Sequence, residues 1–282
     1  MRSEMLIARR KAANAIFVGF CWVAAAVALA ALAAILVSLF KEGLAGMNLN
    51  IFTKDTPAAG SIGGLRNAIV GSIMMCAIAM AIAVTVGVLA GTWLAEYAGD
   101  SAYGKVVRFV NDVLLSAPSI LIGLFVYVFL VYPFHGFSGF AGSVALALLA
   151  APVVTRTTED VIKLQPPALR EAGVALGSPL ASTIRRILWR ASSTGILTGG
   201  LLAFARISGE TAPLLFTALN NQFFSWNMTK PMANLPSVIF NFALTAYDDL
   251  RRLAWAGALV IAMAVLAVNI IARTLARENR PS

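Results

Sequence analysis

AIVGSIMMCAIAMAIAVTVGVLAGTWLA, residues 68–95, runs for 28 positions without a charged side chain. A helix needs about 20 mostly apolar residues to cross the hydrocarbon core of a bilayer, and this stretch exceeds that. Working outward, five further runs follow the same rule: Ala15–Phe40, Val113–Tyr132, Ser138–Val154, Ser193–Leu215 and Leu253–Ala272. The whole chain agrees with them. It is 59% hydrophobic and 12% charged, with a mean hydropathy of +0.82, whereas a soluble domain is about a quarter charged. The expected fold class is all-α, a polytopic membrane protein with six transmembrane helices.

Arg9, Arg10 and Lys11 precede the first run in the manner of a signal peptide. The run is longer than the ~7–15 apolar residues of a signal sequence, so it is read as a retained span. The net charge of +9 raises the question of nucleic acid. In so apolar a chain, basic residues mark cytoplasmic loops instead. With the N-terminus inside, fifteen of the 22 Lys and Arg fall in cytoplasmic pieces, at Arg2, Arg9, Arg10, Lys11, Lys105, Arg108, Arg156, Lys163, Arg170, Arg185, Arg186, Arg190, Arg273, Arg277 and Arg280. Six fall outside and one, Arg206, lies within a span. Both termini are therefore expected in the cytoplasm. Cys21 and Cys76 sit in apolar runs without metal spacing and read as small buried hydrophobes. The single His135 reads as a loop residue, and no nucleophile–base or metal constellation suggests an enzyme.

Two segments outside the apolar runs are long. Residues 41–66 are expected outside, and residues 155–192 inside. In the inner one, Pro166 and Pro167 preset the first turn of a helix, with Glu171 near its positive end. Gly177 allows a left-handed stop, and Ser178 and Pro179 are placed to begin a second helix. Small residues at Ala172, Gly173 and Gly177 would admit another surface closely. The fifth run carries Arg206 and Glu210, and a charge at a membrane-helix centre costs about 2.5–3.5 kcal/mol on insertion scales. On a continuous helix Gly195, Gly199, Ala203, Arg206 and Glu210 share one stripe, which opens with a close-packing G-x-x-x-G. Arg206 and Glu210 could pair at i,i+4 or serve substrate passage. A guanidinium favours an oxyanion such as phosphate, and Glu210 could accept a hydrogen bond from a protonated phosphate. Arg156, followed by Thr157, Thr158, Glu159 and Asp160, is a second candidate. Thr157, Thr158, Ser208 and Thr211 could line the same route.

The stretch Glu171-Ala172-Gly173, Gly177 and Ile187-Leu188-Trp189-Arg190 resembles the EAA loop of binding-protein-dependent ABC importer permeases, departing from it at Gly173, Trp189 and Arg190. In that family the loop docks on the ATPase subunit, which assigns Glu171, Ala172, Gly173 and Gly177 to coupling. Arg206 to Ala218 (RISGETAPLLFTA) resembles more narrowly the PstA-type phosphate permeases, as do Asn111–Ile120, Arg156–Glu159 and Asn234-Leu235-Pro236. The resemblance implies a MetI-like fold, with residues 1–66 as a terminal tail, first helix and outer loop and residues 67–282 as the permease core. It implies a substrate path through Arg206, Glu210 and Arg156. The implied partners are a second permease, PstC, an ATP-binding dimer, PstB, a phosphate-binding protein, PstS, inorganic phosphate and membrane lipid. No G-x-x-x-x-G-K-[ST] loop occurs in the chain, so no cofactor is expected on it, and ATP and Mg are expected on the partner. A permease for molybdate or sulfate, or a stand-alone anion channel or carrier, is the alternative.

Overall fold

The computed structural model describes residues 2–278; Met1 and the last four positions, Arg280 among them, lie outside the described residues. Among the described residues the regular structure is all helix. Helix α1 spans Arg2–Gly46 and is followed by the short α2, Asn50–Thr53. Helix α3, Arg66–Glu96, holds the long apolar run, and α4 follows at Ala102–Ser116. Helix α5, Ser119–Val126, continues into a π-helical turn over Tyr127–Val131. Helix α6 is Gly139–Lys163 and α7 is Pro167–Ala175. Helix α8, Leu180–Thr183, a π-helical turn over Ile184–Leu188 and α9, Trp189–Ala191, form one short rod. Then come α10, Ser193–Ser208, and α11, Ala212–Leu215. Helices α12, Leu235–Ala243, and α13, Asp248–Glu278, close the chain. We call the side of α7–α9 the hairpin end, and the side of residues 47–65 and 216–234 the loop end.

Four stretches are each long and apolar enough to cross a membrane: Arg9–Gly46, Arg66–Glu96, Gly139–Lys163 and Asp248–Thr274. The third expected span, Val113–Tyr132, is not one helix. The chain turns by 107° between Ala102–Ser116 and Ser119–Val131. Pro118 explains the turn, because its ring disfavours helical geometry in the residue before it, and Ala117 is extended at ψ 136. Helix α4 therefore lies across the direction of α5. The fifth expected span, Ser193–Leu215, also divides. Helix α10 ends at Ser208, and Gly209 and Glu210 leave the helix before α11 begins. The ring of Pro213 would clash with the carbonyl of Gly209 in a continuous helix. At 16 residues α10 is about 24 Å long, and six single-helix spans are not what the fold displays.

The core is built on α6. On α3, Gly87 and Gly91 let the α6 backbone approach: a Cβ on Gly91 would stand 2.5 Å from the Thr155 carbonyl oxygen, and one on Gly87 2.7 Å from Val154 Cβ. Met75, Ala79, Ala83, Leu146, Leu149, Ala150, Val154, Ala203 and Ile207 fill the space between α3, α6 and α10. Helix α1 joins this body through its end: Gly43 packs on Leu259 and Gly46 on the Arg252 carbonyl of α13. In the most apolar part of that helix no residue is buried among the described residues. Cys76 is buried as expected, whereas Cys21 is exposed on α1. His135 lies in the turn before α6, at φ 50.

Candidate functional site

Helix α10 is held against α6 by the small residues that the sequence singles out. A Cβ on Gly195 would meet Val161 at 2.5 Å, and one on Gly199 would meet Thr157 Oγ1 at 2.0 Å. Ala203 is fully buried one turn on, and Arg206 follows in the last turn of the helix, half-buried. Its neighbours Ile207 and Ser208 share a small cavity with Met75, Cys76 and Leu146. Met75 lies nine residues from the loop end of α3, about 13.5 Å in. Arg206 thus sits at the depth of the first third of α3, counted from the loop end. Among the described residues, no carboxylate lies within 4.0 Å of its guanidinium. Glu210 does not continue the stripe, because α10 has ended; its amide donates to the Ile207 carbonyl, and its carboxylate likewise has no described ion-pair partner. The expected Arg206–Glu210 pair is absent among the described residues.

Arg156 lies on α6 and is half-exposed, with Asp160 at 3.4 Å and Asp112 of α4 at 3.9 Å. Of the hydroxyls expected on the same route, Thr157 faces Gly199 and donates to the Val153 carbonyl. Ser208 turns back on the Phe204 carbonyl, and Thr211 is half-buried beside the break. Thr158 is off the route. It is fully buried against Gly91 of α3, with its hydroxyl unpartnered.

At the hairpin end, Pro167 takes the first turn of α7 and Gly177 ends the hairpin's first arm at φ 68, as the sequence implies. Ser178 does not cap the second arm; Pro179 stands at that position and provides no side-chain acceptor. Gly173 is buried, and its contact is internal, since a Cβ there would lie 2.5 Å from Thr183 Oγ1. It brings the hairpin's two arms together and is not open to a partner. Glu171, Ala172 and Gly177 are exposed, and with Val174 and Leu176 they form an apolar tip bearing one carboxylate.

The hairpin is tied to the helices by charged groups that motif reasoning passes over. Arg170 donates through Nε and Nη2 to Glu96, at the end of α3, at 3.0 and 2.5 Å. It also donates to the carbonyls of Gln165 and Ile162. The hydrogen bonds to Glu96 raise the pKa of Arg170 above its ordinary value. Glu159, with its side chain 3% exposed, accepts from Arg108 at 2.7 Å and from Lys163 at 2.5 Å. Arg108 reaches on to the carbonyls of Leu94 and Gly99. Trp189 Nε1 donates to Thr92 Oγ1 at 3.0 Å.

The family model described as the inner membrane component of binding-protein-dependent transport systems matches residues 83–281. The chain belongs to that family. Relatives named phosphate transport system permease protein PstA are 50% identical over 271 residues in Haemophilus influenzae, covering 96% of each chain, and 49% identical over 279 residues in Xylella fastidiosa, covering 99% of this chain and 97% of that one. A Methanocaldococcus jannaschii protein named a probable PstA is 33% identical over 246 residues, with 87% of each chain covered. The fold is that of solved importers. An inward-facing MetNI methionine ABC transporter superposes with a TM-score of 0.65 at 15% identity, over 76% of this chain and 95% of that one. A bacterial ABC transporter for alginate superposes at 0.60 and 14% identity, over 92% and 96%. The chain is thus an all-α, multi-pass membrane protein of the importer-permease type.

Arg170 stands directly before Glu171 and was available to a motif search, but its partner Glu96 is 74 positions away. Glu159 was visible within the Arg156–Asp160 cluster. Only the packing of α6 on α3 shows it to be buried.

Proposed function

We propose that the chain is the permease subunit of an ATP-driven importer for inorganic phosphate, that it forms half of the path, and that it is not itself an enzyme. The observation that carries this reading is Arg206: a half-buried guanidinium in the last turn of an apolar helix, without a carboxylate partner among the described residues. A charge kept there faces a protein interior or a watery path, and a fork of N–H donors fits an oxyanion. The relatives' names supply the particular anion. Glu210, on the irregular segment beyond, accepts a hydrogen bond from a protonated phosphate, which fully ionised sulfate cannot offer. Arg156 receives the anion toward the hairpin end, where Asp112 and Asp160 keep its hold weak.

In this reading the hairpin end is cytoplasmic, as are both termini. The chain makes six membrane passages, two of them through broken helices. Residues 1–66 form a peripheral unit, and residues 67–282 form the core. Glu171, Ala172 and Gly177 meet the ATPase, and Gly173 shapes the tip that they occupy. The partners are a PstC-type second permease, a PstB-type ATPase dimer that holds ATP and Mg, and a PstS-type phosphate-binding protein. Transport proceeds by alternating access. The test is uptake by the four-component complex in proteoliposomes, with phosphate, sulfate and molybdate compared. Phosphate alone should be accumulated, and only with ATP. Equal uptake of sulfate or molybdate, or uptake surviving removal of the ATPase subunit, would overturn the reading.

A further inference from the structure

We infer that Arg170 and Glu96 are positioning residues that form a mechanical joint, making the docking hairpin, α6 and α3 one body, so that motion of the ATPase reaches the loop end of the molecule. The inference rests on the reading of the hairpin as the docking element. Covalently, the hairpin hangs from α6 by only Leu164, Gln165 and Pro166. A three-residue link would bend under load. Arg170 braces it. Its Nη groups donate to the Ile162 carbonyl in the last turn of α6 and to the Gln165 carbonyl within the link, at 3.1 and 3.0 Å. The same guanidinium holds Glu96 at the end of α3, where the glutamate side chain is only 5% exposed. A planar guanidinium with several directed donors is suited to fix three segments at once. Trp189, on the hairpin's second arm, adds a parallel strut to Thr92, one turn before Glu96 on α3.

Beyond the joint, α3 and α6 cannot slide past one another. Gly87 and Gly91 leave no gap between them, and Glu159 locks α4 onto both through Arg108. Helix α3 is about 46 Å long at 1.5 Å per residue, and its far end grips the loops. Asn67 donates to the Asn221 carbonyl and to Thr56 Oγ1. Ser72 Oγ accepts from the Leu235 amide at 2.8 Å. The backbone of Ala233 lies so close that a Cβ on Gly71 would stand 2.0 Å from its carbonyl oxygen. A continuous bonded path therefore runs from the docking tip, through Arg170, Glu96 and α3, to residues 221–235 at the opposite end. Each member of the path is either a helix or a hydrogen-bonded contact at least partly buried, the kind of contiguous network that can carry coupling between distant sites.

The test uses the complete transporter in proteoliposomes with its binding protein and inorganic phosphate. ATP hydrolysis and phosphate uptake are measured on the same preparation. Arg170→Ala and Glu96→Gln should still co-purify with the ATPase subunit, yet consume about 5–10 times more ATP per phosphate imported, the size of a typical coupling term. Arg170→Lys, which keeps the charge without the fork, should fall between them and the wild type. Trp189→Phe, which removes one strut, should raise the ratio less. A purely structural role would lower hydrolysis and uptake in proportion. An unchanged ratio in Glu96→Gln, whose Arg170 retains both carbonyl bonds, overturns the inference even if Arg170→Ala yields no complex. Failure of the functional reading appears elsewhere, as a wild-type complex that takes up no phosphate or binds no ATPase subunit.

Discussion

Gly199 is the position at which one added carbon should be felt furthest. A Cβ there would lie 2.0 Å from Thr157 Oγ1 and 2.8 Å from Thr157 Cβ, so α10 and α6 must part by about 1 Å or Thr157 must turn. Turning breaks the bond of Thr157 to the Val153 carbonyl, 2.8 Å long and worth about 1 kcal/mol. Overpacking of this kind costs about 1–3 kcal/mol. Against it stands the intrinsic preference of a helix for alanine over glycine, about 1 kcal/mol. The expected net loss for Gly199→Ala is about 1–2 kcal/mol. Thr157→Ala vacates the same space, so the double variant should recover most of that loss, with a coupling energy of about 1–2 kcal/mol. Reversible unfolding in mixed micelles measures all four corners of the cycle. Phosphate uptake should follow stability, because Arg206 lies seven residues further along α10, about 10.5 Å, and moves with it. A Gly199→Ala protein as stable as the wild type, with additive behaviour in the double variant, would refute the close seam.

Arg206→Gln should insert and assemble but lose most phosphate uptake. The further change Glu210→Gln should not restore it, and recovery in the double variant would return the pair to a structural role. Glu159→Gln leaves Arg108 facing Lys163 without the carboxylate between them. Breaking a buried pair costs about 3–5 kcal/mol, reduced here to about 2–3 because Lys163 is half-exposed; unfolding within 0.5 kcal/mol of wild type would contradict the burial of that charge. Gly177→Leu meets no neighbour but forces a branched residue to φ 68, at about 1–2 kcal/mol, and places bulk at the docking tip. Transport should fall while the permease pair still forms, and normal uptake would remove Gly177 from the docking surface. A reporter that fluoresces only in the cytoplasm should light up at the C-terminus and stay dark within residues 44–62; the reverse pattern would invert the assigned topology.

The apolar runs, the proline start and glycine stop of the hairpin, and the Gly195–Gly199 seam were legible because each is a local or periodic pattern. What failed was continuity. Mean hydropathy carries straight through Pro118 and Pro213, whereas the backbone cannot, and a stripe projected across Gly209 joined Arg206 to a glutamate that belongs to another segment. Gly173 was read as open to a partner because smallness alone does not say which surface it admits; the answer, Thr183, comes from the fold of the hairpin. The Glu96–Arg170 and Arg108–Glu159 bonds join positions whose nearness exists only once α3 and α6 have packed.

Helix α1 leaves the ribosome before the other described helices, and its main seam among the described residues is with α13, the last of them. Gly43 must wait for Leu259, roughly two hundred residues later. At about 5–20 residues per second, that delay is on the order of 10–40 s. Through all of it α1 lacks the helix it packs against, and the seam closes only after α13 has been made. Nascent chains cut short before α13 would carry a loose first helix, a plain mark by which a membrane protease could tell unfinished copies from finished ones.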